Sequence, residues 1–154
     1  MPDILDPDTA AAEAQAAAAA AAERANLREQ IRMREAAATS YDRMAGDHDS
    51  SAFRMRQVAA GLTAEINPLR TVFTAIRGLH TPNTWEGQAA AASRVRLDGH
   101  EARTNSAILL VDRLVEDLQD EAVIQEGLGD QLRGEASSLR SGNWSLQEQI
   151  NALY

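Results

Sequence analysis

The chain has 154 residues, a formal net charge of −8 and no cysteine. The length suits one domain, or one domain with an extension. The missing cysteine excludes a disulfide framework and a thiolate metal site, and the acidic balance argues against a general nucleic-acid binder, which needs a basic footprint to neutralise phosphates.

Apolar residues make up 44% of the chain and aromatics only 4%, with alanine supplying much of the apolar share. Helices packed through small residues are therefore expected rather than a thick core. Residues 1–8 are interrupted by Pro2 and Pro7 and read as a disordered or extended start. Asp3 and Asp6 stand where a secretory signal would carry basic residues. The run from Ala16 to Ala22 is too short and too weakly apolar to span a bilayer, so no membrane span is expected.

Residues 9–46 read as an alanine-rich N-terminal helix. Eleven of the thirteen residues from Ala10 to Ala22 are alanine, the strongest helix former, and Asp8 or Thr9 is placed to cap the start. Leu27, Ile31, Ala38, Tyr41 and Met44 continue it as one apolar stripe. Gly46 to Ser51 then predicts a break, with Gly46 ending one helix and an Asp or Ser capping the next. Asp47 and Asp49 lack the twelve-residue ligand pattern of a calcium loop, so capping is the preferred reading.

From Ser51 to Leu79 the residues Met55, Val58, Leu62, Ile66, Leu69, Phe73, Ile76 and Leu79 repeat at spacings of three and four, the cleanest amphipathic stripe in the chain. Pro68 interrupts it without changing its phase, which favours a kinked helix over two separate ones. The segment 78–84 predicts a turn, with Asn83 or Thr84 as the next cap. A helix is expected from Trp85 to about Glu126. Its later part, including Leu109, Leu110, Leu114, Val115, Leu118 and Ile124, is apolar on more than one face, which implies a third helix or another chain against it. Glycines 127, 129 and 134 weaken the pattern, although Leu128, Leu132, Ala136 and Leu139 keep a stripe. Ser141-Gly142-Asn143 predicts a second break. Ser145 and Glu148 form a capping box before a short terminal helix in residues 141–154. No segment alternates as a strand does. The expected fold is all-α: an antiparallel helical hairpin over 51–140, with an additional N-terminal helix and a short C-terminal helix, as part of a helical bundle.

Trp85-Glu86-Gly87, lying between two long helical stripes, resembles the signature of the WXG family, the early-secreted-antigen-like proteins of type VII (ESX) secretion. The match spans about Ser51 to Glu126. The resemblance implies a helix–turn–helix hairpin that pairs with a second chain into a four-helix bundle and is exported folded. Trp85 and Gly87 would form the hairpin corner, the ring packing at the hairpin end and the glycine easing convergence of the helices. The chain departs from the family in its length, in Pro68, and in lacking Tyr-x-x-x-Asp/Glu after the second helix: Tyr41 has Ala45 four residues on, and Tyr154 has nothing after it.

Nothing in the chain assembles a catalytic pattern. His48, His80 and His100 are widely separated, and none has a zinc-type partner at helical spacing. Gly127-Leu128-Gly129 lacks the lysine and preceding strand of a phosphate loop. The acids from Asp112 to Glu126 read as a solvated face or one that meets a basic partner. The expectation is a non-enzymatic protein without cofactor, metal, nucleic acid or small-molecule substrate. It would act by pairing with a protein partner, in a homo- or hetero-oligomer, through Met55, Val58, Leu62, Ile66, Leu69, Phe73, Ile76, Leu110, Leu114 and Leu118. In the secretion reading it is cytoplasmic before export and reaches the surface or medium by a signal-peptide-independent route. The alternative is a structural subunit of a phage, filament or shell.

Overall fold

The computed structural model describes residues 7–79 and 87–154. It is an all-α antiparallel hairpin of two long packed helices, α1 (Pro7–Leu79) and α2 (Gln88–Ala152). Residues 1–6 and the segment 80–86 lie outside the described residues, and with them His80, the caps expected at Asn83 and Thr84, and Trp85.

The additional N-terminal and C-terminal helices expected from the sequence are not separate elements. Helix α1 runs through Gly46 to Ser51, and α2 runs through Gly127, Gly129, Gly134 and the segment 141–143. The physical reason is a heptad seam that never loses phase. On α1 the less exposed residues include Leu27, Ile31, Arg34, Ala38, Tyr41, Ala45, His48, Ala52, Met55, Ala59, Leu62 and Ile66. They alternate in steps of three and four, the repeat that keeps one seam facing a partner helix. Gly46 falls just outside that seam. Each interior glycine costs about 1 kcal/mol relative to alanine, a local penalty that the packed positions on both sides override. The caps expected at Asp47 to Ser51, and the box of Ser145 with Glu148, therefore fall inside continuous helices.

The seam is built from heptad positions a and d. On α1, position a holds Ala38, Ala45, Ala52, Ala59 and Ile66, and position d holds Tyr41, His48, Met55 and Leu62. On α2, position a holds Ile108, Val115, Ala122, Gly129, Ala136, Asn143 and Ile150, and position d holds Val111, Leu118, Gln125, Leu132, Leu139 and Leu146. Ala38, Ala45, Ala52, Ala59, Ala122 and Ala136 are at most 1% exposed. A methyl group can be sealed that completely only where a neighbouring helix approaches closely, which small residues at a repeated position allow.

The chain divides into two compact units. One combines α1 up to Asp47 with α2 from Leu128 onward; the other combines α1 from His48 with α2 up to Gly127. In the first, Leu27, Leu146 and Ile150 form a buried cluster, with Ile31 and Leu153 packed against it. Arg24 Nη1 donates to the Leu153 carbonyl at 3.1 Å, and its guanidinium lies 4.4 Å from the centroid of the Tyr154 ring. A cation there complements the negative end of α2. Residues 8–19 of α1 are exposed at every position. Alanine propensity and continuity with the packed part of the helix, rather than burial, account for that stretch.

In the second unit α1 passes through Pro68. Pro68 and Ala64 are both exposed, so water can solvate the Ala64 carbonyl that loses its donor. At the start of α2, Gly87 has φ +107°, and its carbonyl accepts the first helical bond, from Ala91 N at 3.1 Å. A Cβ built on Gly87 would meet nothing within 4 Å. The left-handed backbone, and not close approach of the helices, is what calls for glycine there.

Candidate interaction surface

Two flanks border a heptad seam, and in this protein they differ in chemistry. In an antiparallel pair the e positions of both helices share one flank and the g positions share the other.

The e flank is polar. In the second unit Arg56 pairs with Glu126 at 2.9 Å, Arg70 with Asp112 at 2.5 Å, and Arg77 with Asp98 at 2.6 Å. Arg77 also pairs with Glu101. These two carboxylates raise the Arg77 pKa further above its ordinary value, the Glu101 hydrogen bond contributing most. In the first unit Arg140 bridges Asp42 at 2.6 Å and Glu35 at 3.1 Å, and both raise its pKa, Asp42 most. Arg28 donates to the Tyr154 hydroxyl at 2.9 Å. The step from Arg28 to Asp42 on α1 matches the step from Tyr154 back to Arg140 on α2. The step from Arg56 to Arg70 likewise matches that from Glu126 back to Asp112. The bonds thus record an uninterrupted antiparallel register within each unit. Being water-exposed, they serve register more than stability. The acidic run of α2 is accordingly not one uniform face: Asp112 and Glu126 meet arginines of α1.

The d/g flank of the second unit carries exposed apolar side chains alongside the polar Glu65, Glu121, His48 and Gln125. Val58 and Leu114 at g, Leu69 at d, and Leu110 and Ile124 at the adjoining c position are exposed, Leu110 at 65%. Ile66, Leu69, Arg103, Thr104, Ala107, Ile108 and Val111 line a groove of about 360 Å³ beside them. Phe53, Leu109 and Val123 add exposed apolar surface at b positions on the other side.

The sequence-predicted stripe therefore divides. Ile66 is buried, and Met55, Leu62, Phe73, Ile76 and Leu118 are half-buried; their seam is occupied by the chain's own second helix. Val58, Leu69, Leu110 and Leu114 remain on the surface. Leu79 is exposed as well, at the end of α1.

His48 is half-buried at a d position, with its Nδ1 2.6 Å from Gln125 Oε1. Since that amide oxygen can only accept, Nδ1 carries the proton in this contact. Gln125 in turn donates to Glu121 at 2.7 Å. His48 is thus a polar seam residue inside α1, where the sequence predicts a break, while His100 is exposed. A heptad count through Ala45 and Ala52 is the signal that finds His48. Asn143, at an a position in the first unit, has its Oδ1 buried without a hydrogen-bond partner.

Among the described residues no group of three or more His, Asp or Glu side chains is placed to hold a metal, and no helix is long and apolar enough to cross a membrane. No protein-family model, curated protein or solved structure matches the chain.

Proposed function

We propose that this protein is a non-enzymatic helical pairing module, and that it serves a bacterial type VII (ESX) secretion system as a WXG-like partner or export accessory. The pairing part of the reading is carried by one observation. The d/g flank of the second unit keeps Val58, Leu69, Leu110, Leu114 and Ile124 exposed around a groove that is apolar apart from Arg103 and Thr104, while the e flank is occupied by ion pairs within the chain. Contiguous exposed apolar surface of this kind marks a protein-binding face. A bundle of four helices buries such a flank by laying a second hairpin across it.

The secretion assignment rests on the resemblance carried by Trp85 and Gly87. It receives support from the hairpin architecture and from the start of α2 immediately after Gly87. Co-expression with the products of adjacent genes tests it. A one-to-one complex held through Leu110 and Leu114 is the expected result, and no complex with any neighbour would remove the assignment.

A structural subunit is the second reading. It is favoured by the length of the two helices and by the exposed Met33, Met44 and Trp144 in the first unit, which provide apolar surface away from the groove. Filaments or particles formed by the pure protein would select it.

A further inference from the structure

We infer that the groove beside Trp144 in the first unit receives an arginine side chain of a partner polypeptide. The groove lies on the e flank and shares no residue with the apolar face around Leu110, so this site goes beyond the pairing reading and does not rest on it.

Asn143 is the starting point. It stands at position a, one heptad from Ala136 and one from Ile150, both at most 1% exposed. Its Oδ1 is sealed from water and accepts no hydrogen bond. A buried acceptor without a partner weakens the free hairpin, and an apolar residue at the same position would not. The same side chain forms part of the wall of a groove of about 450 Å³, which gives a donor from outside a route to it. Rotation about χ2, whose well is broad for asparagine, turns the amide oxygen toward that donor.

The other lining side chains select the donor. Trp144 forms one wall and is 74% exposed. Glu35, Arg140 and Glu148 also line the groove. Arg140 is already held by Asp42 and Glu35, whereas Glu148 is exposed and forms no ion pair among the described residues. Arg28, the next cation along this flank, is turned to the Tyr154 hydroxyl. A bare indole face, a carboxylate without a cation and an unpartnered acceptor together suit a flat cation with several donors. Guanidinium is planar, stacks on an indole, carries five N–H groups and is more weakly hydrated than an ammonium. The same unit already holds one guanidinium in this way: Arg24 lies 4.4 Å from the centroid of the Tyr154 ring and donates to the Leu153 carbonyl.

The cation arrives on a polypeptide rather than as free arginine, whose α-carboxylate would be brought against Glu35 and Glu148. Gln147 donates to Asn151 Oδ1 at 3.2 Å. That leaves the Gln147 carbonyl oxygen and the Asn151 amino group, both in the wall of the groove, to meet the backbone N–H and C=O of an extended segment.

The test is titration of the isotope-labelled full chain with the blocked pentapeptide acetyl-Ala-Ala-Arg-Ala-Ala-amide, followed by NMR at the Trp144 indole N–H and the Gln147 side-chain amide. A saturable shift of both is expected. The peptide with citrulline in place of arginine keeps the shape and loses the charge, and is expected to bind about tenfold more weakly. Asn143→Leu is expected to weaken binding of the arginine peptide about tenfold, and Trp144→Ala and Glu148→Gln about threefold to fivefold each. Unchanged circular dichroism confirms that the variants fold, and Leu110→Glu is expected to leave peptide affinity unchanged.

No saturable shift with the arginine peptide overturns the inference. Equal binding of the citrulline peptide overturns it as well, since the groove would then be adhesive without recognising a cation. Equal binding of the lysine counterpart removes the guanidinium from the assignment. Affinity unmoved by Asn143→Leu and Glu148→Gln places the peptide elsewhere on the chain and also overturns it. None of these outcomes bears on the pairing reading, whose own test is the complex held through Leu110 and Leu114.

Discussion

Replacing Gly46 with alanine separates a continuous α1 from a broken one by the sign of its effect. The local sequence, Gly-Asp-His-Asp-Ser-Ser, reads as a helix end followed by a new cap. In that conformation Gly46 would adopt the left-handed backbone of a C′ residue, and alanine would cost about 1 kcal/mol. In the structure Gly46 lies inside α1, has no positive φ and is exposed. A Cβ built there would meet nothing within 4 Å. Alanine then gains its full helix propensity and restricts the unfolded chain, for a stabilisation of about 1 kcal/mol. For a chain of this length that raises the melting temperature by about 2–4 °C. Thermal unfolding followed by circular dichroism at 222 nm reads it, with Gly127→Ala as a second interior site expected to move the same way. Gly87→Ala is the opposing control, because φ is +107° there and alanine would be strained. A fall in melting temperature for Gly46→Ala would refute the continuous helix and reinstate the break.

Further consequences follow from the seam. Ile150→Ala empties the best-buried large position, packed with Leu27 and Leu146, and is expected to cost about 2–5 kcal/mol in chemical denaturation; a loss below about 1 kcal/mol would mean that this end of the hairpin is not packed. Ala52→Leu forces extra volume into a position 1% exposed and is expected to destabilise by about 1–3 kcal/mol, whereas a neutral result would show that the helices do not approach closely there. Asn143→Leu removes a buried, unpartnered acceptor and is expected to stabilise the hairpin by about 1–2 kcal/mol; destabilisation would show that the amide has a partner in solution.

Fold class and hairpin direction were legible in the sequence because they depend on long-range periodicity, which survives local noise. The stripe from Met55 to Ile76 faces α2 where its members are buried, and the expectation that the segment from Leu109 to Ile124 is apolar on more than one face matches the exposed Leu110, Leu114 and Ile124. The breaks at Gly46 to Ser51 and at 141–143 were misread because capping rules weigh a glycine and its polar neighbours alone. They carry no information about Ala45, His48 and Ala52 holding the seam on either side. Alanine also hides a core: Ala45, Ala52 and Ala59 are absent from the stripes that the larger residues trace, yet with Ala38 their seven-residue spacing is the seam itself. The split of the interaction stripe needed the partner helix, because only the pairing of e with e and g with g shows which apolar residues are already covered. Trp85, on which the family resemblance leans, lies outside the described residues.

The central claim is that the apolar flank around Leu110 is a contact between chains. The most direct measurement is absolute mass by light scattering during size exclusion, on the wild type and on Leu110→Glu/Leu114→Glu, each alone and with co-expressed neighbours. The account predicts a wild-type mass at least twice 16.7 kDa, falling to the single-chain value in the variant while helicity is retained. A wild type that stays at the single-chain mass under every condition, or a variant whose assembly is undiminished, would contradict it.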